Sequence, residues 1–291
     1  MTMQLDPLAG LAEQVVDTDR YPLHDPGSPR WREVVARVGE QLATVGCSVL
    51  EDFVRPDLRP LLQQQGDAVA PRAYYDVETV NVYNTDPDPT LPADHPARVT
   101  MERGNAFVAR DEIPAGFVVH RLYTDPVFQQ LLADCFGLSE IHPLTDPLSG
   151  LTVNVVAPGR SHPWHFDLNE LTVSMVTRQA EAGGVFEYCP GIRSADAEHL
   201  DDVREVLRGG DRLVRRLALR PGDLQLFAGR YSLHRVTAVQ GAQARHSAIF
   251  AYSRRPGVIG SVARTRQLFG RVTAAHLPAD GRSVRVDRLL D

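Results

Sequence analysis

The chain has 291 residues, 43% of them hydrophobic and 23% charged, with a formal net charge of −6. This length and composition are typical of a soluble globular protein with a sizeable core, and they exclude wholesale disorder. All 31 strongly basic residues are arginines, so chemistry that needs a lysine, such as Schiff-base formation or a P-loop, is excluded. An acidic chain with dispersed arginines also argues against nucleic acid as a partner.

The three cysteines, Cys47, Cys135 and Cys189, are widely spaced and form no CxxC pair. This pattern indicates a reducing compartment and argues against a zinc knuckle or a disulfide framework. The chain shows no secretory signal pattern at its start, and no segment has the roughly 18 consecutive apolar residues of a membrane-spanning helix. We therefore expect a cytoplasmic protein without a membrane partner. The oligomeric state is left open.

In residues 1–147 the pattern predicts helices, one strand and one long loop. The first 27 residues are polar and contain several prolines, and we expect them to be poorly ordered or to wrap the surface. Ser28 is a predicted N-cap, and apolar residues follow it at helical spacing until Gly46. The further predicted elements are a strand over 47–54, a helix over 56–65, and a helix that begins after Asp125 and ends at Gly137. Residues 84–104 hold four prolines and are predicted to form a loop, with an active-site lid as its hypothetical role.

From about residue 148 the chain changes to short β-branched segments separated by glycine and proline. Many short strands with turn signals are typical of a sandwich or jelly roll. The predicted strands are 151–156, 170–177, 184–188, 213–219, 223–227, 234–239 and 245–253, and one helical insert covers 196–207. The predicted fold class is α+β, with one composite domain over 1–291. Its parts are a helix-rich region over 1–147, a β core over 148–271 and a C-terminal extension over 272–291.

The segment WHFD, at residues 164–167, carries the strongest chemical signal. Residues two apart on a strand face the same side, so His165 and Asp167 can bind one metal ion. His234, which opens the β-branched segment HRVTAV, is the best candidate for a third ligand. Two imidazoles and one carboxylate form the facial triad of non-haem Fe(II) oxygenases and leave positions open for substrates. His162 has the wrong strand parity to join Asp167 and is not predicted as a ligand.

Arg245 lies eleven residues after His234 and begins the next predicted strand. Ser247 shares its face by the two-residue period, and an arginine beside a hydroxyl can bind a carboxylate bidentately. This is the chemistry needed to hold the far carboxylate of 2-oxoglutarate, whose other end chelates iron. Asn154, on a preceding predicted strand, is a candidate for a hydrogen bond to this co-substrate, although a structural role explains it equally well.

Two long segments carry a resemblance to a known family: HPWHFDLNELTVSMVTRQAEAGGVFEYCPGIRS and PGDLQLFAGRYSLHRVTAVQGAQARHSAIFAYSRRPG. Over about residues 105–271 the chain resembles the Fe(II)/2-oxoglutarate-dependent hydroxylases and radical halogenases that act on free amino acids. The resemblance implies a double-stranded β-helix, or jelly-roll, core with N-terminal and flanking helices. It implies iron ligation by His165, Asp167 and His234. It also implies that Arg245 binds 2-oxoglutarate and that O2 is the other co-substrate.

Two positions bear on the reaction and on the substrate. Halogenating relatives have glycine in place of the carboxylate, which frees a position for chloride, whereas this chain has Asp167. The resemblance therefore implies hydroxylation rather than halogenation. Relatives that act on lysine carry an acid directly after this position, whereas this chain has Leu168, which cannot pair with a cation. We expect a small or apolar amino-acid-like substrate.

The carboxylate of an amino-acid-like substrate needs a cationic partner. Arg103, at the end of the proline-rich loop, is the first candidate, and Arg230 is the second. His246 alternates with Arg245 on the predicted strand and should face away from the pocket. Whether the substrate arrives free or tethered to a carrier protein is left open.

The implied reaction is oxidative decarboxylation of 2-oxoglutarate at Fe(II), coupled to hydroxylation of an unactivated C–H bond. A desaturase or oxidative cyclase on the same scaffold is the leading alternative, because placement of the target carbon decides between these outcomes. A non-catalytic jelly-roll binding module is an alternative from another class. A zinc hydrolase that uses two histidines and one aspartate is a third. Fe(II)-dependent formation of succinate separates the oxygenase from the binding module, whereas a zinc hydrolase would be active without O2 and would not need Arg245.

Overall fold

The computed structural model describes residues 14–76, 78–169, 171–279 and 289–290. The helices are α1 (Pro29–Val45), α2 (Arg59–Val69), α3 (Val118–Thr124), α4 (Pro126–Cys135), α5 (Leu200–Leu207) and α6 (Val262–Phe269). The strands are β1 (Cys47–Leu50), β2 (Glu78–Val80), β3 (Met101–Arg103), β4 (Asn105–Val108), β5 (His142–Pro143), β6 (Leu151–Val156), β7 (His162–His165), β8 (Thr172–Arg178), β9 (Ala182–Gly183), β10 (Phe186–Cys189), β11 (Arg215–Leu217), β12 (Leu224–Phe227), β13 (Leu233–Val236), β14 (Val239–Gln240) and β15 (Arg245–Ser253). Within the described ranges no helix combines the length and the hydropathy that a membrane span requires.

The caps of α1 and α4 agree with the sequence prediction. The Ser28 side chain accepts a hydrogen bond from the backbone N–H of Trp31 at 3.2 Å, and Gly46 follows the helix in the left-handed conformation with φ of 70°. Glycine adopts this conformation without the steric penalty of a Cβ atom. Asp125 caps α4 by accepting from the N–H of Phe128 at 2.8 Å. The two helices pack against each other, and α1 also contacts β1.

Two antiparallel sheets form the β part of the molecule. The larger sheet has the strand order β1-β12-β8-β15-β6-β4, with β5 paired to β15. The smaller sheet has the order β11-β10-β13-β7. Apolar residues of α1, α2 and α4 join those of β8, β12 and β15 in the main hydrophobic core, so these helices cover one face of the larger sheet. The other face looks toward the smaller sheet, with a cavity between them.

β15 shows how the strand period separates the core from the cavity. Ala248 and Phe250 are buried in the main hydrophobic core. Arg245 and Ser247 line the cavity instead, because alternate side chains of a strand point to opposite faces. His246 is buried on the helix-covered face, away from the cavity. One strand thus supplies both the core and the site.

Several elements differ from the sequence prediction. The helix predicted over 56–65 begins as a 3-10 turn and continues as α2 to Val69. The predicted loop 84–104 ends in a second 3-10 turn and in β3, which pairs with β2. β2 and β3 are stabilised by hydrogen bonds to each other, which local periodicity does not reveal. α6 lies within the part that was predicted to be a β core.

Two predictions fall partly or wholly outside the described residues. The strand predicted over 170–177 is described from Thr172 onward as β8, and residue 170 is not described. Residues 1–13 of the N-terminal segment, and most of 280–291 in the predicted C-terminal extension, are likewise not described.

The three cysteines are buried thiols, and none of them forms a disulfide. Burial raises the pKa of the Cys47 thiol to about 12, with an opposing hydrogen bond from Gln225. A thiol that stays protonated is a poor nucleophile and a poor metal ligand. The expected cytoplasmic location stays a prediction.

Candidate active site

A cavity of about 470 Å³ lies between the two sheets. Side chains of β6, β8, β12 and β15 form one wall, and side chains of β7, β10 and β13 form the other. Residues 258–269, which include α6, close one side. None of residues 84–104, the predicted lid, is among the described wall residues. The volume is sufficient for a small substrate beside a co-substrate.

His165, Asp167 and His234 meet in the wall of this cavity. In the described part of the chain they are the one group of three histidine, cysteine or acidic side chains whose ligand atoms all lie within 4.8 Å of one another. His165 ends β7 and is the register partner of His234 on β13. The Nε2 atoms of the two histidines lie 3.7 and 3.5 Å from Oδ1 of Asp167. The structure therefore brings together the three side chains that the sequence marks as metal ligands.

Backbone carbonyls orient both imidazoles. Nδ1 of His165 lies 2.8 Å from the carbonyl oxygen of Pro163, and Nδ1 of His234 lies 2.9 Å from that of Ser232. The carbonyls fix the proton on Nδ1, which donates to them. Nε2 is then the nitrogen with the lone pair that can bind a metal.

Thr172 and Gly229 fix the position of Asp167. The Thr172 hydroxyl donates to Oδ2 of the carboxylate at 2.6 Å, which leaves Oδ1 facing the histidines. The backbone N–H of Asp167 donates to the carbonyl of Gly229 at 3.2 Å. A Cβ atom at Gly229 would collide with the carboxylate, so glycine permits this close approach.

The electrostatics of His165 and Asp167 favour the protonation states that bind a metal. Burial and the charge of His234 together lower the pKa of His165 to about 3, although the Asp167 carboxylate acts in the opposite direction. Burial acts against ionisation of Asp167, but the two histidines and the Thr172 hydroxyl hold the pKa of its carboxyl below the ordinary value. Neutral imidazoles and an ionised carboxylate are the forms that ligate a metal. Two imidazole nitrogens and one carboxylate oxygen suit Fe(II).

Arg245 is a buried cation at some distance from the triad. Its guanidinium donates to the Ser247 hydroxyl at 3.2 Å, and no carboxylate of the described residues lies within ion-pair distance. Burial is the one cause that shifts the pKa of Arg245, to about 10, which leaves it protonated at neutral pH. A buried guanidinium without an anionic partner is costly, so this site favours a bound carboxylate.

Asn154 lies on β6 as the register partner of Ser247. Its Oδ1 accepts from Asn105 at 3.0 Å, and its Nδ2 lies 3.4 Å from Nδ1 of His162. The His162 ring stacks on that of His165, with centroids 3.9 Å apart. Both Asn154 and His162 line the cavity, and His162 is not part of the group of metal-binding side chains.

The sequence profile of Halogenase D matches residues 93–264, more than half of the chain. The chain belongs to the Halogenase D family. The matched range contains the triad and Arg245. None of the curated proteins compared with the chain is significantly similar to it.

Solved structures are similar to this Halogenase D family member in fold. AviO1 from Streptomyces viridochromogenes Tue57 is 17% identical, with a TM-score of 0.51 over 75% of this chain and 94% of that one. A prolyl hydroxylase from Trichoplax adhaerens, in complex with a peptide fragment of the hypoxia inducible factor oxygen degradation domain, is 14% identical, with a TM-score of 0.51 over 77% of this chain and 90% of that one. The epimerase SnoN, in complex with Fe3+, alpha ketoglutarate and nogalamycin RO, is 14% identical, with a TM-score of 0.50 over 76% and 84%. At these identities the likeness shows a shared fold.

The cofactors predicted from the sequence are Fe(II), 2-oxoglutarate and O2. Membership of the Halogenase D family and the His-Asp-His group in the cavity wall confirm this prediction. The chemistry of the side chains agrees, since the triad has the donor set of an Fe(II) site and Arg245 has no anionic partner of its own among the described residues.

The structure separates the residues predicted to contact the substrate. Leu168 lines the cavity. Arg103 is buried on β3, where it donates to the backbone carbonyl of Gln267 at 3.2 Å and lies 3.6 Å from Glu78. Arg230 is also buried, and neither arginine is among the described wall residues. Neither Arg103 nor Arg230 is therefore placed to contact a ligand in the cavity directly.

The sequence prediction missed Arg264, which lies on α6 and lines the cavity. The Ser261 side chain caps this helix by accepting from the Arg264 N–H, and Gly270 ends it with φ of 67°. These caps are the sequence signal that could have revealed α6. No local signal places the helix over the cavity.

Proposed function

We propose that this chain is an Fe(II)/2-oxoglutarate-dependent oxygenase that hydroxylates an unactivated C–H bond of a small amino-acid-like substrate. One observation carries the proposal: one cavity is lined both by the His-Asp-His group, with ligand atoms within 4.8 Å of one another, and by the guanidinium of Arg245, which has no anionic partner among the described residues. The two antiparallel sheets on either side support the double-stranded β-helix expected for such an enzyme.

The side chains have distinct roles in this reaction. His165, Asp167 and His234 would hold the iron, which supplies the oxidative decarboxylation of 2-oxoglutarate by O2 and the attack on a C–H bond. Arg245, together with Ser247, binds the far carboxylate of 2-oxoglutarate and fixes the direction in which it lies. The apolar side chains of the cavity wall limit the access of water to the reacting atoms.

Asp167 favours hydroxylation over halogenation within this family. A carboxylate that ligates iron occupies the position that a halide ion would need. Thr172 holds the carboxylate by a hydrogen bond of 2.6 Å, so it is fixed toward the two histidines rather than free to leave. This member of a halogenase family is therefore expected to hydroxylate its substrate instead of halogenating it.

The first experiment measures succinate formed from 2-oxoglutarate by the protein with Fe(II) in air, with and without a panel of amino acids. We expect slow formation without substrate and faster formation with a substrate. Asp167→Ala and Arg245→Ala should abolish or strongly reduce it, whereas Asp196→Ala, an exposed site, should not. No Fe(II)-dependent succinate from the wild type would contradict the proposal and favour a binding module. Activity that does not need O2 would favour a zinc hydrolase.

The mass of the product separates the oxidative outcomes. Hydroxylation adds one oxygen atom, desaturation or ring closure removes two hydrogen atoms, and halogenation replaces one hydrogen by a halogen. We expect one added oxygen, which isotopically labelled O2 would mark. A product that has lost two hydrogens would show that the protein is a desaturase or cyclase and not a hydroxylase. The assignment of the iron ligands would stay the same.

A further inference from the structure

Arg264 is a cation of the cavity wall that the proposed reaction leaves unused. The other charged or imidazole side chains of the wall are His162, His165, Asp167, His234 and Arg245. Three of these bind iron in the proposed function, and Arg245 binds 2-oxoglutarate. The Arg264 guanidinium donates to the neutral side chain of Gln267, and no carboxylate of the described residues lies within ion-pair distance.

Arg264 and Arg245 lie on different elements of the cavity wall and differ in solvent exposure. Arg245 belongs to β15 and is 5% exposed, whereas Arg264 belongs to α6, in the segment that closes the cavity, and is half-buried. Arg264 is among the charges that lower the pKa of His165, while no charged neighbour shifts that of Arg245. Arg264 is therefore within electrostatic range of the triad. Arg245 lies deeper, as required for the far end of a co-substrate whose other end is at the iron.

The surroundings of Arg264 carry surplus positive charge. Burial and the neighbouring Arg103 lower the pKa of Arg264 to about 10, so it is still protonated at neutral pH. Arg103 has a carboxylate partner, Glu78, at 3.6 Å. The carboxylates of Asp167 and Glu78 act on the pKa of Arg264 in the opposite direction, but Asp167 faces the two histidines and Glu78 is the partner of Arg103. An anion bound at Arg264 would therefore stabilise this cluster.

The rest of the wall combines neutral polar side chains with an apolar surface. It includes Leu168, Ile249, Val258 and Leu268. Asp167 is the only carboxylate among the described wall residues, and it is committed to the metal. The cavity thus offers a partner for a carboxylate and a surface for hydrocarbon, but no spare acid for a cationic side chain.

We propose that Arg264 binds the carboxylate of the substrate, which is an apolar acid that arrives free rather than as a carrier-bound thioester. The inference rests on the proposed function and names the substrate class of that site. Gln267 holds the guanidinium in place, and the hydrocarbon part of the substrate lies against Leu168 and Leu268. A thioester has no free carboxylate to offer Arg264.

The experiment measures binding rather than turnover. The protein with Fe(II) and 2-oxoglutarate, kept free of O2, is titrated by calorimetry with L-leucine, L-phenylalanine and isovalerate, each beside its amide. We expect at least one acid to bind the wild type about tenfold or more tightly than its amide. Arg264→Gln should remove this preference, and Arg264→Lys should retain part of it. Arg266→Gln, at an exposed position of the same helix, should keep it in full.

Three results would overturn the inference: equal binding of acids and amides, no binding by any of these compounds, or an unchanged preference in Arg264→Gln. The absorption band of iron-bound 2-oxoglutarate serves as a second readout and as a check that each variant is folded. Weaker 2-oxoglutarate binding in Arg264→Gln, with the acid preference intact, would assign Arg264 to the co-substrate and also overturn it. Succinate formation by the wild type tests the proposed function separately.

Discussion

His165 and His234 are register partners on the antiparallel strands β7 and β13, with ring centroids 4.1 Å apart. Directly opposed side chains on such strands lie on the same face of the sheet. Strand pairing therefore brings together two imidazoles that are far apart in the sequence. Asp167 follows β7 by two residues and adds the carboxylate from the adjoining turn. The geometry of the metal site is a property of the sheet register.

Removal of the carboxylate should strongly weaken iron binding. Asp167→Ala leaves two imidazoles, and we expect Fe(II) affinity to fall by more than about 100-fold, beyond the effect of losing an outer hydrogen bond. Anaerobic titration with Fe(II) measures this directly. Asp196→Ala is the control, since Asp196 is exposed. Retention of Fe(II)-dependent succinate formation in Asp167→Ala would contradict the assignment.

The hydroxyl of Thr172 should matter for the metal without contacting it. Thr172→Val keeps the shape of the side chain but loses the hydrogen bond to Asp167, and we expect Fe(II) affinity to fall about 10- to 100-fold. Thr172→Ser should restore most of it. Thr177→Val is a matched control on the same strand, because its buried hydroxyl has no hydrogen-bond partner in the part of the chain that the structure describes. An equal loss in both valine variants would indicate a general packing defect instead.

Arg245→Ala should weaken 2-oxoglutarate binding by at least about tenfold, because a hydrogen bond to a charged group contributes about 1.5–3 kcal/mol. Ser247→Ala should have a smaller effect, since the hydroxyl is neutral. The dissociation constant can be read from the absorption band of the complex with Fe(II). Unchanged affinity in Arg245→Ala would show that another cation holds the co-substrate.

Asp146 should stabilise the segment that closes the cavity. Its carboxylate accepts from the N–H groups of Leu148, Ser149 and Gly260 and lies 3.2 Å from Nε2 of His276, and both side chains are fully buried. Asp146→Ala leaves these partners unpaired, and we expect the free energy of unfolding to fall by about 3–5 kcal/mol. Asp125→Ala, which removes only the α4 cap, should cost about 1 kcal/mol. Urea unfolding measures both values.

The same substitution has a local readout. The segment 258–269 carries Arg264 and Arg266, and both are potential trypsin sites. In Asp146→Ala we expect faster trypsin cleavage there than in Asp125→Ala, under conditions where both proteins are folded. Equal rates would mean that Asp146 stabilises the fold as a whole but not this segment.

His246 should make stability depend on pH. Burial lowers its pKa to about 4, although Asp67 at 3.6 Å acts in the opposite direction. The folded state therefore binds a proton less readily than the unfolded state, whose histidine has a pKa of about 6.5. The contribution to stability is present above pH 6.5 and is lost as the pH falls toward 4, with a limit of about 3 kcal/mol.

Urea unfolding of the metal-free protein at pH 7 and pH 4.5 tests this dependence. His246→Gln should lose less stability between the two pH values than the wild type. His24→Gln, at an exposed position, should behave like the wild type. An identical pH dependence in His246→Gln would show that other buried histidines account for the effect.

The strand period explains part of the site that could be predicted from the sequence. Arg245 and Ser247 are two residues apart on β15, so they face one side wherever the strand lies in the fold. Asp167 lies two residues beyond the end of β7, and its carboxylate still faces His165. Helix caps are equally local, and Ser28 therefore marked the start of α1. Such features depend on neighbours in the chain.

The covering helix and its arginine could not be predicted in this way. α6 is held over the cavity by contacts of long range, such as the bond from the Gly260 N–H to Asp146 at 2.8 Å. With 31 basic residues, all of them arginine, nothing in the local sequence shows which one a distant helix turns inward. The pattern therefore pointed to Arg103 and Arg230, whereas the structure has Arg264 in the wall.

The alternation of core-facing and cavity-facing side chains along β15 also disfavours an incorrect strand register. A slip of one residue against its neighbours would exchange the two faces of the strand and carry the guanidinium of Arg245 into the hydrocarbon layer that contains Phe250. Burying that ion without a partner would cost several kcal/mol, so misaligned chains are strongly disfavoured. Every molecule that completes this sheet in the correct register has therefore also placed the guanidinium of Arg245 in the cavity wall.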